Sequence, residues 1–110
     1  MIEVKSLDEV KELIEKELGV LLYFSTPTCN VCQALKPKII KEFDKNFPLI
    51  KKVFIDSSIT PEIAANYNVF SVPTMLLFID RKEFAREGRN VSVPLFVDRV
   101  RRVYEIVNSE

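Results

Sequence analysis

A chain of 110 residues, 47% of them apolar and 29% charged, has the size and composition of one domain with one core. Its 16 lysines and arginines balance 16 aspartates and glutamates, so there is no basic excess to grip a phosphate backbone, and nucleic acid is excluded as the main partner. Histidine is absent, which removes the Ser-His-Asp and Cys-His catalytic sets, the commonest metal ligand and the ordinary pH switch.

Met1 to Asp8 carries Glu3 and Asp8 without a long apolar run, so it does not read as a signal peptide. No segment approaches the ~20 apolar residues of a membrane helix, so no membrane partner is expected. A reducing, cytoplasmic location is the expectation.

Ile2 to Val4 reads as a short first strand. Ser6, with Glu9 three residues on, fits a capping box; Leu7, Val10, Leu13, Ile14 and Leu18 then keep helical spacing, and Gly19 reads as the stop. Val20 to Phe24 is an apolar run without alternation, as a strand covered on both faces requires. Ser25 to Thr28 form a loop containing Pro27. A helix starts near Cys29, with Val31, Leu35, Ile39, Phe43 and Phe47 as its inner stripe, a kink expected at Pro37 and an end at Pro48. Ile50 to Ile55 reads as a second buried strand. Thr60 and Pro61 read as the N-cap and first residue of a short helix to Tyr67. Thr74 to Ile79 is a further strand. Asp80-Arg81-Lys82 turns the chain into a shorter strand, Glu83 to Glu87. The last helix starts near Val93, with Phe96, Val100, Val103 and Val107 facing inward. The order βαβαβαββα predicts an α/β fold, residues 1–110 forming a single domain, with parallel crossovers first and an antiparallel edge last.

The two cysteines enclose Asn30-Val31 just after the second strand. Residues i and i+3 of a helix carry β-carbons ~5–6 Å apart, near the ~3.5–4.5 Å that a disulfide needs. The pair can therefore close or open with small local movement. As a staple it is poor: in the chain-entropy model a loop of about four residues gives ~2 kcal/mol, against ~3 for fifteen. The spacing favours redox chemistry over reinforcement. A zinc site wants four ligands, usually two such pairs, and here there is no second pair and no histidine, so no metal is expected. At a helix N-terminus unpartnered N–H groups and the dipole favour a thiolate, the attacking species. Cys29 is the candidate nucleophile and Cys32, one turn inward, the candidate resolving residue. Two buried, inert cysteines remain the structural alternative.

Over nearly its whole length the chain resembles the thioredoxin family. The resemblance rests on Cys29-Asn30-Val31-Cys32 after the Val20–Phe24 strand, on Pro37 five residues past the second cysteine, and on Val72-Pro73-Thr74 before the next strand. It implies a central mixed sheet of about five strands flanked by four helices. It also implies a thiol–disulfide oxidoreductase that reduces or exchanges protein disulfides. No cofactor is needed; the partners are disulfide-containing proteins and an external reductase or thiol pool, and the chain is expected to act as a monomer. By resemblance Pro73 is the cis-proline facing the disulfide, bringing the Val72 backbone beside Cys29 to pair with an extended substrate segment. Thr28 lies on the same rim, with a plain helix cap as its other reading.

Three positions depart from the family. Asn30-Val31 replaces its Gly-Pro pair, which leaves the reduction potential open. Thr28 stands where a tryptophan is usual. Tyr23 occupies the place of a buried acid thought to accept the resolving cysteine's proton, and a phenol of pKa ~10 is a poor base at neutral pH. Lys52 matches the lysine beside that acid; it is either a modulator favouring the thiolate or a solvated, snorkelling side chain. Two other functions stay open: a glutaredoxin-type enzyme using glutathione, with Lys36 and Lys38 as candidate carboxylate contacts, and a non-enzymatic interaction module or redox sensor.

Overall fold

The computed structural model describes residues 2–108. The elements are β1 (Ile2–Glu3), α1 (Leu7–Lys16), β2 (Gly19–Ser25), α2 (Asn30–Asn46), β3 (Lys51–Asp56), α3 (Pro61–Asn66), β4 (Thr74–Ile79), β5 (Lys82–Glu87) and α4 (Val93–Asn108). They form the expected α/β architecture, a mixed five-stranded sheet of order β1-β3-β2-β4-β5. β1, β3 and β2 run parallel, and β4 is antiparallel to β2 as well as to β5.

β2 is central and buried at every residue. Its side chains alternate between two cores, as the two-residue period of a strand demands. Val20, Leu22 and Phe24 join the core that contains Val10 and Ile14 of α1 and Ile63 of α3. Leu21 and Tyr23 join the core of Ile39 and Phe43 from α2 and Phe96, Val97 and Val100 from α4. Each apolar face of the sheet is thus covered by its own pair of helices.

Local chemistry sets the element ends. Ser6 caps α1, its hydroxyl accepting from the Glu9 amide at 3.2 Å. Asp80 and Arg81 turn β4 into β5 with φ of 50° and 69°, the left-handed pair that matches the twist of a two-residue hairpin.

Several sequence expectations shift. Gly19 does not stop α1, which ends at Lys16 with Glu17 as its cap; Gly19 begins β2, and a Cβ there would meet Ile50 Cγ1 at 2.9 Å. Leu18 falls after the helix and is 46% exposed. Val31 does not join the inner stripe of α2: it is 36% exposed, while Cys32, Ile39 and Phe43 are buried. A four-residue step overshoots a helical turn by about 40°, so a stripe at strict four-residue spacing drifts off the core face, and at the first turn Cys32 takes Val31's place. Phe47 is buried because it lies past the helix end, as its cap. β3 is not covered on both faces; only Val53 and Ile55 are fully buried, since Lys52 and Phe54 sit near the rim of the α2 layer. Thr60 does not cap α3 through its side chain, because its hydroxyl donates to the Asp56 carbonyl at 3.0 Å instead. In α4, Val103 and Val107 are only partly buried, and Val97 faces inward with Phe96 and Val100.

Candidate functional site

The site lies where β2 ends and α2 begins. Ser25 closes β2, residues 26–29 cross to the helix, and Cys29 is the N-cap of α2. Its backbone is extended, with φ −86° and ψ 101°, and its Sγ accepts a hydrogen bond from the Cys32 amide at 3.2 Å. Cys29 and Cys32 form a disulfide across one helical turn, with Cα atoms 5.2 Å apart. Cys29 is partly exposed, whereas Cys32 is 1% exposed. No acidic residue stands in the first turn of α2, so nothing there opposes negative charge on sulfur.

The loop before the disulfide is tied down at Thr26. Its carbonyl accepts from the Cys29 amide and from the Gln33 side chain, each at 3.2 Å. Thr28 is exposed beside them. The helix continues unbroken through Pro37.

The second strand of the site is β4. Phe24 pairs with Thr74 and Tyr23 with Met75, so the chain enters β4 at the end of the sheet where β2 delivers the cysteine loop. Pro73 is buried there, Val72 is partly exposed, and the bond between them is cis. The preceding loop is pinned from β5: the Arg86 guanidinium donates to the carbonyls of Tyr67 and Asn68 at 2.8 and 3.1 Å. On that loop Phe70 stands 86% exposed.

Beneath the disulfide lies Tyr23, wholly buried. Its hydroxyl donates to the Cys32 carbonyl at 2.7 Å. Its ring stacks on Phe54, with centroids 6.5 Å apart, and the Lys36 ammonium sits 3.8 Å above the Phe54 ring. Burial pushes the phenol up to about 12 from 10. A phenol titrating near 10 when unfolded and near 12 when folded contributes stability that is whole below pH 10. That contribution, about 3 kcal/mol, is lost as pH climbs from about 10 to about 12. Tyr23→Phe is expected to escape this loss. The stability gap between wild type and variant, read from urea melts, should move by that amount over the interval, and a gap that stays flat contradicts it. Tyr67, also raised by burial, titrates in both proteins and cancels.

Lys52 is 11% exposed and pairs with Asp44 of α2, itself largely exposed. It lies level with Leu21 rather than Tyr23 along the sheet. Lys52, expected as a modulator of the thiolate or a solvated side chain, thus has a carboxylate partner that sequence reasoning missed, one on another element and without a motif. Lys36 and Lys38 do not line one pocket. Lys36 covers Phe54, and Lys38 lines a groove between α2 and α4 with Lys41, Arg101, Glu42 and Asp98. Among the described residues no helix is long and apolar enough to cross a membrane.

Comparison with known proteins places this arrangement. The thioredoxin family's sequence profile matches residues 2–93. The thioredoxin-like protein YdfQ of Bacillus subtilis (strain 168) is 36% identical over 110 residues, covering 100% of this chain and 97% of that one. Thioredoxin 1 of Thermosipho africanus TCF52B superposes with a TM-score of 0.72 at 35% identity, covering 81% of this chain and 98% of its own. Oxidised mitochondrial thioredoxin 3 of Saccharomyces cerevisiae shares the fold, with a TM-score of 0.80 at 22% identity and 94% of each chain covered.

Proposed function

The chain belongs to the thioredoxin family and is a thiol–disulfide oxidoreductase; on that premise we propose that Cys29 is its attacking thiolate and Cys32 its resolving thiol, acting on disulfides in partner proteins. The observation that carries the assignment is the asymmetry of the pair. Cys29 is partly exposed at a helix N-terminus, and Cys32 is buried one turn behind it. A partner's disulfide can reach the first sulfur and not the second.

In the reduced chain the Cys29 thiolate attacks one sulfur of the partner disulfide. A mixed disulfide forms, and the other partner sulfur leaves as a thiolate that takes a proton from water. Cys32 then gives its proton to water and attacks Cys29 Sγ, releasing the second partner sulfur. Two electrons have passed to the partner, and the chain holds the Cys29–Cys32 bond. The N–H directed at Cys29 Sγ and the dipole of α2 support the thiolate.

The Val72 backbone, beside the buried Pro73, would pair with an extended partner segment, with the exposed Thr28 on the same rim. Lys52 is a weaker candidate as modulator, since its charge is matched by Asp44. The whole of 1–110 works as one unit, in the cytoplasm, recharged by a reductase or thiol pool. Protein disulfides are favoured over glutathione because Lys36 is held over the Phe54 ring and Lys38, two residues on, faces the groove between α2 and α4, so the two lysines form no single site for the tripeptide's carboxylates.

Equilibration of the pair against a glutathione redox buffer tests the reading. Reversible exchange of one disulfide per chain is the expected result. A pair that stays locked in either state across the buffer range overturns it, and turnover with glutathione disulfide but not with a protein disulfide overturns the substrate class.

A further inference from the structure

We infer that Tyr23 is a positioning residue for the resolving thiol. By tying the Cys32 carbonyl to the centre of the sheet, its hydroxyl holds Cys32 within reach of Cys29 when no covalent bond joins them. The inference rests on the redox reading above and adds to it a residue that touches neither substrate nor sulfur.

The need for such a tie follows from α2 itself. The amides of a helix's first turn have no helical partner. Pro37 has no amide, so the carbonyl four residues before it, that of Gln33, lacks its helical donor. Just behind the turn that carries both cysteines, α2 therefore has one hydrogen bond fewer than an uninterrupted helix. The fold supplies anchors from outside. The Thr26 carbonyl holds the rim through Cys29 and Gln33. On the buried side the tie is Tyr23, at 2.7 Å. Its ring is in turn fixed by Phe54, which Lys36, one turn beyond Cys32, covers at 3.8 Å. The path from Cys32 through Tyr23 and Phe54 to Lys36 closes back on the same helix, fastening its first two turns to β2 and β3 at two points.

In the oxidised chain the disulfide also fixes Cys32. In the reduced chain that restraint is gone and the Tyr23 bond remains. Removing the hydroxyl should thus loosen the reduced state more than the oxidised one and lower the effective concentration of one thiol at the other. Closure of the ring should weaken, as should release of a mixed disulfide.

The test compares wild type with Tyr23→Phe, which keeps the ring. Both are equilibrated with glutathione: oxidised chain plus two glutathione thiols gives reduced chain plus one glutathione disulfide. The expected result is a disulfide about three- to tenfold less favoured in the variant, because the Tyr23 bond is worth more where the disulfide already holds the Cys32 carbonyl in place, with the worth of one whole hydrogen bond as the ceiling of the shift. Slower release of glutathione from a Cys29 mixed disulfide should accompany it. A folded variant with wild-type equilibrium and release rate overturns the inference. Should the variant not fold, the reduced wild type decides: a Tyr23 hydroxyl proton protected from exchange supports the tie, and one exchanging freely with water overturns it. Failure of the wild type to exchange with glutathione at all instead refutes the redox reading, which keeps the two failures apart.

Discussion

Cys29→Ser is expected to abolish reduction of a protein disulfide such as those of insulin, a loss on the order of 10⁴-fold or more. A serine hydroxyl at the same N-cap accepts the same amide hydrogen bond, so the fold should survive, but it forms no thiolate and no disulfide. Cys32→Ser should behave differently. Its Cys29 still attacks, and the mixed disulfide then has no internal thiol to release it. Mass spectrometry should find the partner, or one glutathione, retained on Cys29 in this variant and nothing on the first. Retention in the Cys29 variant would reverse the roles assigned to the two sulfurs, and equal loss without retention in both would overturn the division of roles altogether.

Tyr23→Asp should have the largest effect on stability. It removes a buried ring and puts a carboxyl where no cation is paired with it, at a cost on the order of 3–5 kcal/mol near neutral pH. Burial raises such a carboxyl above its unfolded value of ~3.9. Its folded-state contribution is then whole below that value and is lost as pH rises through the raised one, so the variant should be most stable in mild acid. The same carboxylate, once ionised, offers the resolving thiol a proton acceptor that the phenol does not. Against Tyr23→Phe, which likewise lacks the tie to the Cys32 carbonyl, mixed-disulfide release should be on the order of ten- to a hundredfold faster near pH 7, with the advantage vanishing in acid. A rate equal to or below that of the phenylalanine variant at neutral pH would show that proton removal does not limit the step.

What could be read in the sequence was what local pattern encodes. The uninterrupted run Val20–Phe24 announced a central strand, and the cysteine spacing after it announced the helix N-terminus. Where the outcome depends on an element far along the chain, pattern is silent. Tyr23 could be placed inside, but not its acceptor, because a backbone carbonyl of α2 leaves no trace in residue identity. Asp44 carries no motif that singles it out, and it meets Lys52 only because α2 lies across β3. Val31 was misassigned for a geometric reason, since four-residue spacing imitates a helix face only over a short span. Arg86 could not be linked to the site at all; its hold on the loop before Pro73 arises from the pairing of β4 with β5.

The two-core alternation of β2 has a consequence for how this enzyme can fail. Tyr23 reaches Cys32 because odd-numbered residues of that strand point toward α2, and a shift of one position against its neighbours would exchange the faces. The phenol would then be stranded beneath α1, and Phe24, which has no hydroxyl, would sit under the disulfide. Redox competence is therefore vulnerable to errors of strand alignment made while the chain folds. A lesion far from both sulfurs could silence the protein and leave every thiol intact.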